Sequence, residues 1–264
     1  MSLKVNARIP AAFYVHAALF DCDGTLVNST GAISEFWREF AKTRPHVDAE
    51  EIIKTSHGCR TYDVIAKWSP DDAEEKQVSE WEGSIPDSFG QFARPIPGAV
   101  ELVKKFDEIS RAETDNKHQR WAIITSGTLP LASKWLKLLE LEKPECFITA
   151  ERVSSGKPDP QGYLAARRDL GYDAPHARVV VFEDAPSGIK AGKDAGAIIV
   201  GICSTYDAEK VKSSGADIAV KDLSSFEIEG YNPATDEFKV VVKDYLYARE
   251  EFTTRRKSIV EGLA

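Results

Sequence analysis

The chain has 264 residues, 42% of them hydrophobic and 29% charged, and a net charge of −8. This composition is ordinary for a soluble globular protein, and the length suits one large domain or one domain with an insertion. This negative net charge excludes an overall positive electrostatic field that would attract nucleic acid. The cysteines lack metal-binding spacing, no apolar run reaches the roughly 18 residues of a membrane helix, and the start carries no signal-peptide core. We therefore expect a cytoplasmic monomer with no nucleic-acid or membrane partner.

Short apolar runs along the chain predict the strands of a parallel sheet. The runs are continuous rather than alternating, as expected for strands that are buried on both faces. They are Val15–Phe20, Trp121–Thr125, Cys146–Thr149, Val179–Phe182 and Ile198–Ile202. Because helical patterns separate these runs, the sequence predicts an α/β fold with a doubly wound, Rossmann-like parallel sheet.

The segment from Ser29 to Pro95 has no convincing strand and carries helical patterns instead. They lie near Glu35–Lys42, Ala49–Ile53, Tyr62–Trp68 and Asp72–Trp81. We interpret residues 29–95 as a small all-helical domain inserted after the first strand, and residues 1–28 and 96–264 as the core domain.

The end of the core, from about residue 223 to 264, is predicted as an extension of different character. Phe226–Tyr231 and Phe238–Val242 flank a turn-forming sequence and predict a hairpin. A charged helix is predicted to follow over Tyr245–Lys257.

A pair of carboxylates follows the first predicted strand. Asp21 and Asp23 lie at its carboxyl end, where parallel sheets bind ligands. A calcium loop does not fit, because it needs glycine at the sixth position and glutamate at the twelfth, whereas here the glycine, Gly24, is fourth and the twelfth residue is Ala32. An acidic turn without chemistry is the alternative interpretation.

A second acidic pair, Glu183 and Asp184, follows another predicted strand. Carboxylates are hard oxygen ligands that suit Mg²⁺. In the alternative interpretation, Asp184 caps the next helix and Glu183 is solvated.

Polar side chains at other strand ends and loops could hold an anion. Thr125 and Ser126 precede a predicted helix, where a hydroxyl and free N–H groups could bind phosphate oxygens, although an ordinary helix cap is an equal alternative. Lys157 could neutralise a phosphate or be a solvated loop residue. A nucleotide P-loop is excluded because Pro158 stands where that motif has serine or threonine.

In this order, the motifs resemble those of the haloacid dehalogenase superfamily of phosphohydrolases over nearly the whole chain. The helical insertion resembles the cap that this superfamily places between its first and second motifs. The segments Phe36–Phe40, Ser56–Asp63 and Asp244–Ala248 resemble more closely the glycerol-3-phosphate phosphatases, with the 2-deoxyglucose-6-phosphate phosphatases as near relatives. The resemblance implies a Mg²⁺-dependent phosphomonoesterase that hydrolyses a small polyol phosphate, glycerol 3-phosphate first, with sugar phosphates as the alternative.

The resemblance also implies roles for the acidic residues. Asp21 would be the nucleophile that forms an aspartyl-phosphate, and Asp23 would be the general acid and base. Asp21, the backbone carbonyl of Asp23, and Asp184 would hold Mg²⁺. Glu183 would complete the metal site directly or through water.

The remaining predicted site residues would bind the substrate. By the same resemblance, Thr125 and Ser126 would hold phosphate oxygens, and Lys157 would neutralise charge between phosphate and nucleophile.

His57, Gly58 and Arg60 form a polar turn between two predicted cap helices, placed to enter the site and select the substrate. We expect Arg60 to contact the substrate or the catalytic carboxylates, with a salt bridge inside the cap as the alternative. For His57, a structural role is favoured.

The same residues help to distinguish this chain from members of the superfamily that catalyse other reactions. Dehalogenases and phosphonatases lack an acid equivalent to Asp23, so Asp23 with Glu183 and Asp184 favours cleavage of phosphate esters. A phosphomutase retains all of these groups and stays open. A non-catalytic binding protein would have lost Asp21, Asp23, Lys157 or Asp184, and all of these are present.

Overall fold

A seven-stranded sheet lies at the centre of the computed structural model, which describes residues 9–113 and 118–253. Side by side, its strands are β12 (Tyr247–Ala248), β9 (Ile218–Val220), β8 (Ile198–Ile202), β7 (Val179–Glu183), β2 (Ala17–Phe20), β5 (Trp121–Ile124) and β6 (Cys146–Ile148). All neighbours are parallel except β12, which runs antiparallel to β9.

The direction in which the sheet grows reverses between β2 and β7. The chain passes from β2 outward to β5 and β6, and then crosses to β7 on the other side of β2 and continues to β8 and β9. Sheets with this order bind ligands at the carboxyl ends of the strands beside the reversal. The predicted α/β fold with a doubly wound sheet is confirmed, and its expected ligand site lies above β2 and β7.

Alternate residues of each central strand bury opposite faces of the sheet. In β2, Ala18 and Phe20 belong to one hydrophobic core, and Ala17 and Leu19 belong to the other. Helices α5 (Ala99–Glu113) and α6 (Leu129–Leu138) pack on the first core. Helices α7 (Gln161–Asp169), α8 (Pro186–Asp194) and α9 (Ala208–Ser213) pack on the second. Burial on both faces explains why the strand sequences are continuously apolar.

Residues 30–92, which we call the helical segment, contain four α-helices. They are α1 (Thr30–Ala41), α2 (Ala49–Thr55), α3 (Thr61–Trp68) and α4 (Glu75–Phe89). The chain leaves the core through β3 (Val27–Asn28) and returns through β4 (Arg94–Pro95), and these two strands pair antiparallel. The two connections therefore lie side by side. In the interior of the helical segment, the Phe40 ring contacts the rings of Trp37 and Trp81, at centroid distances of 5.7 and 5.4 Å.

Helix α4 begins later than predicted. The prediction placed it over Asp72–Trp81, whereas Pro70–Asp72 forms a separate 3-10 turn. The side chain of Glu74 accepts hydrogen bonds from the backbone N–H groups of Lys76 and Gln77, at 3.1 and 2.8 Å. This cap fixes the start of the helix at Glu75, because it satisfies N–H groups that have no partner within the helix.

The predicted first strand, Val15–Phe20, corresponds to β2, and a strand before it was not predicted. Residues Ala11–Val15 form β1, which joins β10 (Phe226–Asn232) and β11 (Glu237–Val242) in a separate antiparallel sheet, while β2 enters the central sheet. The break falls at His16, whose backbone N–H donates to the carbonyl of Arg178 at 2.8 Å. The prediction missed this division because the partner of β1 lies near the other end of the chain.

The predicted hairpin is present as β10 and β11, and it packs on the central sheet through Phe226, whose ring lies 5.4 Å from that of Phe182. The predicted charged helix over Tyr245–Lys257 is wrong in its first part. Tyr247–Ala248 is β12, which pairs with β9, a strand that the prediction also missed. A short helix, α10 (Glu250–Thr253), follows, and residues 254–257 lie outside the described residues.

The extended conformation of the tail has a visible cause. The Arg249 guanidinium pairs with the Asp217 carboxylate at 2.8 Å, and its backbone N–H donates to the Asp217 carbonyl at 3.0 Å. These bonds hold the tail against the sheet edge.

No helix in the described part of the chain has both the length and the apolar character to span a bilayer.

Candidate active site

The carboxyl ends of β2 and β7 bring acidic side chains together at the reversal of the sheet. Asp21 directly follows β2, Glu183 ends β7, and Asp184 comes next. All three are buried, and oxygens of their carboxylates lie within 4.8 Å of one another. This meeting follows from parallel pairing, since Phe20 and Phe182 are opposite one another in the two strands.

Lys157 reaches the same point from a loop. Its ammonium group donates to Asp21 Oδ1 at 2.6 Å, to Glu183 Oε1 at 2.7 Å and to the carbonyl of Ile124 at 3.0 Å. Burial by itself would lower the pKa of Lys157, but the carboxylates of Asp21 and Glu183 outweigh it and raise that pKa well above its ordinary value. A fixed positive charge therefore lies beside Asp21.

The single lysine does not balance the buried acidic charge. Burial raises the pKa of Asp21 to about 7, although Lys157 opposes the effect. Burial also raises the pKa of Asp184 well above its usual value, and the neighbouring Glu183 adds to this. A further cation would relieve this repulsion, and a set of hard carboxylate oxygens suits Mg²⁺.

Glu183 is saturated by protein donors. Its Oε1 accepts from the Lys157 ammonium and from the Tyr163 hydroxyl at 3.0 Å, and its Oε2 accepts from the N–H groups of Asp184 and Ala185 at 2.9 and 3.0 Å. A carboxylate has about four acceptor positions, so no free position is left for a metal. The arrangement favours Asp21 and Asp184 as direct ligands and gives Glu183 the role of fixing Lys157. Tyr163, a member of this network, was not among the predicted site residues.

Asp23 lies just beyond Asp21 and lines the same cavity. Its enclosed position raises the pKa of Asp23, while a hydrogen bond of 2.6 Å from the Ser29 hydroxyl opposes that shift. The turn that follows requires Gly24, which has φ +84°, and a Cβ there would lie 2.1 Å from Asp184 Oδ2. A carboxyl group with a raised pKa beside a nucleophile is suited to donate a proton.

Thr125 and Ser126 follow β5 and line the cavity together with Asp21 and Asp23. The Thr125 hydroxyl accepts a hydrogen bond from the Gly127 N–H at 3.0 Å. The Ser126 hydroxyl donates to the carbonyl of Gly58 at 2.7 Å. The structure thus brings these predicted phosphate-binding residues to the site, with the Ser126 hydroxyl engaged by the helical segment.

The predicted polar turn enters the site through its backbone. The carbonyl of His57 accepts from the Ser187 hydroxyl at 3.1 Å, and that of Gly58 accepts from Ser126. Gly58 has φ +78°, and a Cβ on it would lie 2.5 Å from Ser187 Oγ. His57 and Gly58 both line the cavity, and burial lowers the pKa of His57.

Arg60 is directed away from the cavity. Its guanidinium pairs with Asp63 at 2.8 Å and donates to the carbonyls of Val153 and Ser154 at 2.9 and 3.1 Å. These carbonyls belong to the loop that leads to Lys157. The alternative salt bridge is present, because Asp63 one turn along α3 and the loop use the donors of Arg60, and these bonds do not include the acidic residues of the cavity. The expected contact of Arg60 with a substrate stays a prediction.

The sequence of the chain matches that of a known protein family. A family model described as haloacid dehalogenase-like hydrolase matches residues 15–196, which is more than half of the chain. The chain belongs to this hydrolase family. The match includes the helical segment and every site residue described above, and it confirms the predicted family.

This haloacid dehalogenase-like hydrolase is similar to yeast phosphatases along most of its length. It is 45% identical over 247 residues to glycerol-1-phosphate phosphohydrolase 1 of Saccharomyces cerevisiae, covering 92% of this chain and 96% of the relative. It is 40% identical to 2-deoxyglucose-6-phosphate phosphatase 1 of the same yeast, covering 83% and 92%. A solved hydrolase from Pseudomonas syringae has a TM-score of 0.66 at 27% identity, covering 79% of this chain and 94% of that one.

One further carboxylate of this haloacid dehalogenase-like hydrolase lines the cavity and was not predicted. Glu82 lies on α4 and is only 3% exposed. It accepts hydrogen bonds from the Thr61 hydroxyl and from the Thr128 backbone N–H, the latter at 2.7 Å. Burial raises the pKa of Glu82 to about 7, although both hydrogen bonds oppose this.

The buried Glu82 carboxyl should make stability depend on pH. Its pKa is raised from 4.5 to about 7 by burial, so the folded protein holds the proton more tightly than the unfolded chain does. The contribution to the free energy of unfolding is therefore full below about pH 4.5 and is lost as the pH rises through about 7. The two pKa values limit this loss to about 3 kcal/mol.

Urea unfolding of the wild type and Glu82→Gln at several pH values measures this effect. We expect the variant to gain stability relative to the wild type as the pH rises between the two pKa values. Glu80→Gln is the matched control, because Glu80 is an exposed residue of the same helix. A difference between Glu82→Gln and the wild type that does not change with pH would contradict the prediction.

Proposed function

We propose that this hydrolase is a Mg²⁺-dependent phosphomonoesterase that hydrolyses a small polyol phosphate, most specifically glycerol 3-phosphate, to glycerol and phosphate. The observation that carries the proposal is the buried Asp21 carboxylate, held at 2.6 Å by Lys157 and sharing a cavity with Asp23. This arrangement supplies a nucleophile, a positive charge and a second carboxyl group at one point. The names of the yeast relatives, a glycerol-1-phosphate phosphohydrolase and a 2-deoxyglucose-6-phosphate phosphatase, support a phosphate ester as the substrate.

The first half of the proposed reaction transfers the phosphoryl group to the protein. A carboxylate oxygen of Asp21 forms a bond to phosphorus while the bond between phosphorus and the alcohol oxygen breaks. Asp23 gives its proton to the departing alkoxide, and its raised pKa favours the protonated form that this step needs. The products are an aspartyl-phosphate and the free alcohol.

The second half restores the protein. Asp23, now ionised, takes a proton from a water molecule as the water oxygen attacks phosphorus. The bond between phosphorus and Asp21 breaks, which releases phosphate and returns both side chains to their starting states. One ester and one water are consumed, and one alcohol and one phosphate are formed.

The negative charge of the phosphoryl group is the main obstacle to the first step, because the anionic carboxylate of Asp21 must approach it. Lys157 reduces that repulsion directly beside Asp21. In the proposal, Thr125 and Ser126 hold phosphate oxygens. Asp21, Asp184 and the carbonyl of Asp23 would hold Mg²⁺, which when bound supplies further positive charge for phosphoryl transfer.

The helical segment is the proposed cap, and it forms one wall of the space in which the substrate would bind. This wall includes Ile33, Trp37 and the turn at Gly58. The preference for glycerol phosphate over 2-deoxyglucose 6-phosphate is supported by the higher identity to the yeast glycerol-1-phosphate phosphohydrolase, 45% against 40%.

A phosphate-release assay across small phosphate esters, with Mg²⁺ or with a chelator, tests the proposal. We expect activity only with the metal, and a higher kcat/KM for glycerol 3-phosphate than for 2-deoxyglucose 6-phosphate. Preference for the hexose ester would overturn the glycerol assignment, and undiminished activity after chelation would overturn the metal requirement. Isomerised sugar phosphate without release of phosphate would identify a phosphomutase instead.

A further inference from the structure

Glu82 is a buried carboxyl group that the proposed reaction steps do not use. It lines the cavity that contains Asp21 and Asp23, but it comes from α4 in the helical segment. At 3% exposure, it is shielded from bulk water. Burying a carboxylate is unfavourable unless its oxygens have partners, so its place in the wall of the cavity calls for an explanation.

The protein fixes this carboxylate without saturating it. Thr61 of α3 donates its hydroxyl to Oε1, and the backbone N–H of Thr128, at the start of α6, donates to Oε2 at 2.7 Å. These bonds use two of about four acceptor positions. They also tie Glu82 to both the helical segment and the core, so its orientation toward the cavity is set before a ligand enters.

The surroundings define the chemistry of a partner. The cavity wall that the helical segment forms combines apolar side chains, among them Ile52 and Val64, with the polar residues Ser56, His57 and Thr61. An acceptor in such a wall selects a hydrogen-bond donor, and the ionised carboxylate, which predominates above about pH 7, repels an anion. A phosphate group is therefore directed to Asp21, beside which Lys157 supplies a positive charge, and a hydroxyl group is directed to Glu82.

We propose that Glu82 accepts a hydrogen bond from a hydroxyl of the alcohol part of the substrate and thereby selects phosphate esters of polyols over those of simple alcohols. This role presupposes the phosphatase activity proposed above. A buried acceptor discriminates strongly, because a substrate without the hydroxyl leaves the acceptor unpaired.

Two esters that differ only in their hydroxyl groups provide the test. Glycerol 3-phosphate and n-propyl phosphate are hydrolysed by wild type, Glu82→Gln, Glu82→Ala and the exposed-site control Glu80→Gln. We expect the ratio of kcat/KM for glycerol 3-phosphate to that for propyl phosphate to fall by roughly 10- to 150-fold in Glu82→Ala, as for loss of a hydrogen bond to a charged group. The ratio should fall less in Glu82→Gln, which keeps a neutral acceptor, and stay unchanged in Glu80→Gln.

Each ratio is measured within one preparation, so a partly folded variant does not change it. Equal losses on both esters in the Glu82 variants, or no loss on either, would overturn the proposed role while the phosphatase activity stands. Failure of the wild type to release phosphate from either ester, with Mg²⁺ present, would overturn the proposed function and this role with it. The two failures are therefore distinguishable.

Discussion

Replacing Asp21 with asparagine is expected to lower kcat by ~10⁴- to 10⁶-fold, the size of loss seen when a catalytic nucleophile is removed. The amide nitrogen and the neutral amide oxygen cannot replace the carboxylate oxygen that bonds to phosphorus. The variant should fold, because the side chain keeps its shape and an oxygen for the Lys157 ammonium, which lies 2.6 Å from Asp21 Oδ1.

Phosphate release from glycerol 3-phosphate measures this loss, and circular dichroism checks the fold. Asp71→Asn is the matched control, since Asp71 is an exposed aspartate of the helical segment. Activity of Asp21→Asn within a few-fold of the wild type would exclude Asp21 as the nucleophile.

Replacing Asp23 with asparagine should separate the two halves of the reaction. Loss of a general acid costs ~10²- to 10⁴-fold, and we expect that loss in kcat with glycerol 3-phosphate, whose alkoxide needs a proton to leave. The p-nitrophenolate ion leaves without one, so the first half should stay fast with p-nitrophenyl phosphate. Because the variant also lacks the base for the second half, the aspartyl-phosphate should accumulate.

Stopped-flow absorbance with p-nitrophenyl phosphate measures this outcome. We expect a burst of p-nitrophenol close to the amount of enzyme in Asp23→Asn, followed by slow turnover. Equal losses on both esters without a burst would contradict a role for Asp23 as acid and base, provided that product release does not limit the rate.

The sequence was sufficient to predict the core of the site because its geometry follows from strand order. Asp21 and Glu183 each stand at the end of an apolar run, and parallel neighbours place their carboxyl ends at one edge. The doubly wound sheet followed from the alternation of such runs with helical patterns. The positions of Asp21 and Asp184 therefore needed little beyond the order of the motifs, whereas that of Lys157, which lies in a loop, came from the family resemblance.

The parts that were missed depend on contacts between distant segments. For Arg60, the sequence favoured a contact with the substrate or the carboxylates over a cap salt bridge, and its bonds depend on the loop at Val153, which is distant along the chain. Glu82 is one of several charged residues in α4, and its burial depends on the start of α6 at Thr128. Strand β1 depends on β11, which lies near the other end of the chain.

The proposed mechanism depends above all on a covalent bond between Asp21 and phosphorus during turnover. Quenching the enzyme in acid while it hydrolyses p-nitrophenyl phosphate, followed by digestion and mass spectrometry, tests for that bond directly. We expect the peptide that contains Asp21 to gain the mass of one phosphoryl group, more strongly in Asp23→Asn than in the wild type and not at all in Asp21→Asn. Active turnover with the phosphoryl group on another residue, or on none in Asp23→Asn, would contradict it.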